Sequence, residues 1–144
     1  GVGFWVGNEF AAAVADGFGL GVDESLRELL APDSAAGWVV LLGVVLPVIA
    51  VVEELLFRAA AIGVPVAGLD APAWAMVTVS SIAFALGHGA QGRVGVVVTG
   101  VLGAALGTLF VLTDSLLAVV VAHYLINALE LVVHEGLGVG RLGD

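Results

Sequence analysis

The sequence predicts an all-α fold, a polytopic transmembrane helix bundle with about four core spans. Three observations lead there. The 144 residues are 60% hydrophobic and only 12% charged, where a soluble domain carries about 25% charge. The mean hydropathy is +1.15, and a chain this short has too little interior to hide that much apolar surface from water, so a bilayer is the expected solvent. Apolar stretches close to the ~20 residues needed for a span recur between turn signals.

The elements follow in order. Gly1 to Leu20 reads as a membrane or interfacial helix. Val22 to Leu30 reads as a short amphipathic surface helix, with Asp23, Glu24, Arg27 and Glu28 opposite Leu26, Leu29 and Leu30. Asp33-Ser34 can cap a first span from near Ala35 to about Ile62, with Pro47 expected to kink it. Asp70 and Pro72 open a second span, about Ala71 to His88. The turn Gly89-Ala90-Gln91-Gly92 leads to an uncharged third span, about Val94 to Leu112, whose Gly100, Gly103 and Gly107 form a small-residue face for close helix packing. Asp114-Ser115 open a fourth span, about Ser115 to Val133, which Gly136 and Gly138 end. The resulting division is an N-terminal segment 1–34, a transmembrane core 35–135 and a tail 136–144. Gly1 is followed by no basic n-region and apolar core, which excludes a signal peptide; the chain reads as a piece of a longer or processed one.

Charge excludes several function classes. Thirteen acids against four basic residues give a net charge of −9. Nothing here could neutralise phosphates, so no nucleic-acid partner is expected. There is no cysteine, hence no disulfide framework, thiolate nucleophile or thiolate metal ligand. All four basic residues are arginines, and Arg27, Arg93 and Arg141 fall on one side of four antiparallel spans. By the positive-inside rule that side is expected to be cytoplasmic, in a multi-pass protein of the plasma membrane.

Polar residues inside the predicted spans carry the functional signal, because ionisable groups at membrane depth are costly and persist where they pair or do chemistry. The first span holds Glu53-Glu54-Leu55-Leu56-Phe57-Arg58. Glu54 and Arg58, four apart, share a face and can pair, while Glu53 points about 100° away. That pair reads equally as a folding staple. A carboxylate poorly solvated by its surroundings suits the work of a general base. The second span ends in Phe84-Ala85-Leu86-Gly87-His88, where a lone histidine is more often a helix-end residue than a functional one. The fourth holds His123-Tyr124-Leu125-Ile126-Asn127; His123 and Asn127 share a face in mid-span and must find partners, as interhelical glue or as function. Glu130 could line the same face, and His134-Glu135 read as interfacial.

Together, Glu53-Glu54-x-x-x-Arg58, Phe84-x-x-x-His88 and His123-x-x-x-Asn127 resemble the CAAX protease and bacteriocin-processing family of membrane endopeptidases, which includes the Abi-type bacterial and archaeal homologues. The resemblance covers about residues 37–133; family members usually have more membrane helices upstream. It implies an intramembrane glutamate endopeptidase acting on a membrane-associated peptide or protein within the lipid bilayer. Carried over, it makes Glu53 the base that activates a water, His88 the residue that helps hold it, and His123 and Asn127 the groups that stabilise the oxyanion. Glu54 completes the catalytic set, and Arg58 and Phe84 give structural support. No cofactor is expected, although two carboxylates and two histidines are a reasonable zinc set; the His-Glu-x-x-His signature is absent. Ser80 and Ser81 lie about two turns from His88, so no serine nucleophile has an evident base. The alternatives are a non-catalytic binding or immunity protein of the same fold, a zinc-dependent membrane protease, and a proton-coupled transporter, which also uses intramembrane Glu and His.

One requirement follows from helix geometry. A first span ending at Ile62 puts Glu53 about 13 Å above its end, while His88 lies about 24–26 Å along the second. For the two to meet, the first span must continue past Gly63 and Pro65, or residues 63–70 must fold back. His123, about 12 Å from its helix start, matches Glu53 directly.

Overall fold

A computed structural model describes residues 1–17 and 25–138, with side chains at 1–14 and 28–138. Every element among the described residues is helical. Helices α1 (Val2–Gly17) and α2 (Ser25–Leu30) precede α3 (Ala35–Leu69), α4 (Ala73–Gly87), α5 (Gly92–Thr113) and α6 (Leu116–Leu131), the last carried on to Gly136 by a π-helical turn. Three helices are long and apolar enough to cross a membrane, Ala35–Leu69, Gly89–Thr113 and Leu116–Gly136. The protein is therefore a helical membrane bundle. The fourth expected span is shorter: α4 has 15 residues, about 22 Å of helix against a hydrocarbon core of about 30 Å. Of the three arginines expected on one side, Arg141 and the side chain of Arg27 lie outside the described residues.

α3 departs most from its expected length, running 35 residues without a break instead of ending near Ile62. Pro47 and Pro65 lie inside it, and a π-helical stretch precedes each, Leu41–Val45 and Leu55–Gly63. There the amide of Leu46 bonds Leu41 O and the amide of Val64 bonds Ala59 O, five residues back. The wider turn gives each proline ring room against the preceding carbonyls, so the helix absorbs the proline that would otherwise break it.

The ends obey the turn signals with two corrections. Ser34 accepts from Gly37 N at 3.1 Å to start α3, and Ser115 accepts from Ala118 N at 3.2 Å to start α6. Asp70 and Asp114, read as openers, instead close α3 and α5 in the left-handed region, at φ 51° and 48°. Aspartate tolerates that conformation better than most residues. Pro72 then starts α4 without a side-chain cap.

The glycine face of α5 works as expected. A Cβ at Gly100, Gly103 or Gly107 would come within 3.2 Å of Ala85 Cβ, 3.1 Å of Phe84 Cδ1 and 3.1 Å of Val77 Cγ1. Glycine at these positions lets α4 and α5 lie this close without a neighbour giving way. α6 packs against α3, α5 and α1. Leu106, Ala122 and Ile126 form one buried cluster, with Phe4 and Trp5 of α1 against it. Leu41, Leu46, Ala128 and Leu131 form a second. Val44, Val48, Val51 and Leu55 of α3 stay exposed, an apolar face suited to lipid.

Candidate active site

The continuation of α3 resolves the mismatch in height. Glu53 lies 16 residues before Leu69, about 24 Å of helix, and His88 lies 15 residues after Ala73, about 22 Å. The short turn at residues 70–72 therefore brings both to the same level. Glu53 Oε1 is 3.7 Å from His88 Nε2, and Glu53 Oε2 is 3.5 Å from His123 Nε2. Three helices thus meet at one carboxylate.

The two adjacent glutamates differ sharply in environment. Glu54 is completely buried, at 0% exposure. Its Oε1 lies 2.7 Å from His123 Nδ1 and its Oε2 lies 3.1 Å from Arg58 Nε, the latter a close ion pair without hydrogen-bond alignment. Glu53, one residue and about 100° away, keeps 26% of its side chain exposed, and its Oε2 accepts no hydrogen bond. The spacing thus separates a fully engaged carboxylate from one left open toward two imidazoles.

Arg58, 1% exposed, is held on three sides. Besides Glu54, it donates from Nη2 to Gly103 O at 3.2 Å, and its guanidinium carbon sits 4.7 Å from the centre of the Phe84 ring. Phe84 also lies 4.5 Å from the His88 ring and 5.9 Å, edge to face, from the His123 ring. It therefore spaces the two histidines as well as stacking on the arginine.

Hydrogen bonding fixes the imidazole tautomers. His88 Nδ1 is 2.8 Å from Phe84 O, and a carbonyl can only accept, so Nδ1 carries the proton. His123 Nδ1 faces the Glu54 carboxylate in the same way. Both histidines therefore aim Nε2 at Glu53, each with Nδ1 already committed elsewhere.

Of the residues singled out from sequence, Glu53, Glu54, Arg58, Phe84, His88 and His123 form one contact network. Asn127 sits one turn beyond His123 on α6, half-buried. Its side chain makes no hydrogen bond to another described residue. Sequence reading missed three supports. Gly103 supplies the carbonyl that binds Arg58; its glycine spacing was visible but pointed only to packing. Phe57 packs edge to face on Phe84 at 5.0 Å, and Ser80 donates to Phe57 O at 2.6 Å, tying α4 to the π-helical stretch of α3. No pattern in the sequence marks a π-helical turn.

A zinc ion does not fit this set well. Both oxygens of Glu54 are engaged by His123 and Arg58, and the two oxygens of Glu53 face different imidazoles. Among the described residues, the group of three whose ligand atoms all lie within 4.8 Å of one another is elsewhere, at Glu9, Glu130 and His134. His134, read from sequence as interfacial, is buried against α1.

Residues 35–129 match the family described as Type II CAAX prenyl endopeptidase Rce1-like. The chain belongs to that family. The matched residues run from the start of α3 almost to the end of α6 and include Glu53, Glu54, Arg58, Phe84, His88, His123 and Asn127. Neither the curated proteins nor the solved structures yield a match. As an Rce1-like protein it is a membrane peptidase, with a peptide or protein as substrate in a lipid setting.

Proposed function

We propose that this Rce1-like chain is an intramembrane endopeptidase that hydrolyses a peptide bond of a membrane-associated peptide or protein by a water that Glu53 activates. The observation that carries the reading is the contrast at residues 53 and 54, a fully buried carboxylate in contact with Arg58 and His123 beside a part-exposed one that faces two imidazole nitrogens.

The chemistry follows from those positions. A water against Glu53 and His88 donates one hydrogen bond to each, which turns its lone pair toward the substrate carbonyl. As its oxygen attacks the carbonyl carbon, Glu53 takes one proton. The carbonyl oxygen becomes an oxyanion. With Nδ1–H held by Glu54, a proton on Nε2 makes His123 one donor to that oxyanion, and the Asn127 amide is the other. The Glu54 carboxylate offsets the charge on the imidazole, and Arg58 holds Glu54 in place. Glu53 then returns its proton to the leaving amine as the carbon–nitrogen bond breaks. Glu53 and His88 keep about a quarter of their side chains exposed, 26% and 23%, which gives a peptide a way to reach them.

The test is cleavage of a membrane-associated peptide by purified wild type, Glu53→Ala and His123→Ala. Cleavage by wild type alone is expected. Equal cleavage by all three rejects the assigned roles.

A further inference from the structure

A second cluster of acids and imidazole lies outside the network around Glu53. Glu9 of α1 meets Glu130 and His134 of α6. His134 is 11 residues beyond His123, about 16 Å along the helix. His134 Nε2 lies 3.1 Å from Glu9 Oε1 and 3.9 Å from Glu130 Oε2. One atom from each residue lies within 4.8 Å of the others. Glu9 is only 9% exposed, and its buried Oε1 accepts no well-aligned hydrogen bond.

We propose that Glu9, Glu130 and His134 bind a divalent first-row transition ion that pins α1 to the end of α6, independently of the peptidase chemistry. A tetrahedral ion with bonds of about 2.0–2.2 Å sets its ligand atoms about 3.3–3.5 Å apart. The two separations from His134 Nε2, 3.1 and 3.9 Å, bracket that spacing and the third pair lies within 4.8 Å, so small side-chain rotations close the site. One imidazole nitrogen and two carboxylate oxygens suit zinc, with water as the fourth ligand. A dication would meet all three ligand atoms at once. His134 lies in the π-helical turn Val132–Gly136, which re-aims the last side chains of α6.

The test is titration of chelator-stripped, full-length protein in detergent micelles with Zn²⁺, read by competition with a chromophoric chelator and by thermal unfolding. One Zn²⁺ per chain and a raised unfolding temperature are expected. Glu9→Gln and His134→Gln should each weaken binding by on the order of 100-fold and remove the thermal shift. The double variant Glu53→Gln/His88→Gln should bind as wild type does. Absence of stoichiometric Zn²⁺ in wild type overturns the site, and that result is readable even where a variant fails to fold. Undiminished binding in Glu9→Gln and His134→Gln overturns it too, as does loss of binding in the Glu53/His88 double variant alone.

Discussion

The molecule contains two places where carboxylates meet imidazoles inside an apolar bundle, and they are built differently. Around Glu54, a guanidinium, an imidazole and an aromatic ring close over one fully buried carboxylate. Glu53 beside it is left open toward His88 and His123. At Glu9, Glu130 and His134, no guanidinium is among the three members. In the first cluster the protein's own cation balances the buried acid, and its neighbour faces the two imidazoles. In the second, on the proposal above, a bound ion meets one imidazole and two carboxylates.

The largest effect that should sharpen this contrast is on stability. Glu54→Gln leaves Arg58 buried without its counter-charge, and removing one partner of a buried pair costs about 3–5 kcal/mol. Unfolding of the variant in micelles should show that loss, whereas a change at Glu53 should leave the unfolding midpoint near that of wild type. Equal destabilisation from the two glutamates breaks the division of labour.

Asn127 comes next. As an oxyanion donor, its loss in Asn127→Ala should lower kcat by about 10²–10³ with KM little changed. A rise in KM at constant kcat would instead make it a substrate-binding residue. The smallest effect is expected at the packing face that holds Arg58 in place. In Gly103→Ala the new methyl meets Phe84 Cδ1 at 3.1 Å and Ser81 Cα at 3.4 Å. Overpacking of this kind costs about 1–3 kcal/mol, measurable as a shift of the unfolding midpoint.

Much of this was legible in the sequence. Apolar run lengths set the helices, and i,i+4 spacing placed Glu54 with Arg58 and Phe84 with His88. The glycine spacing of residues 100, 103 and 107 marked a face for close helix packing, which α4 occupies. What was not legible depended on backbone geometry that side-chain pattern does not encode. Pro65 and Gly63 read as a helix end, yet a π-helical stretch carries α3 through them to Leu69. That extension is what raises Glu53 to the level of His88. Asp70 and Asp114 read as openers because an acid before a helix usually caps it, while here each supplies a left-handed residue that closes the preceding helix. The partnership of Glu9 with His134 spans most of the chain, and no local spacing could have announced it.

The most direct measurement of the central claim is kcat on a membrane-associated peptide for wild type and Glu53→Gln, with unfolding of both followed in the same micelles. The amide keeps the size of the carboxylate but cannot take the water's proton. The account predicts a fall in kcat of about 10²–10⁴ with an unchanged unfolding midpoint. Turnover within a few-fold of wild type would contradict it and remove Glu53 from the role of base.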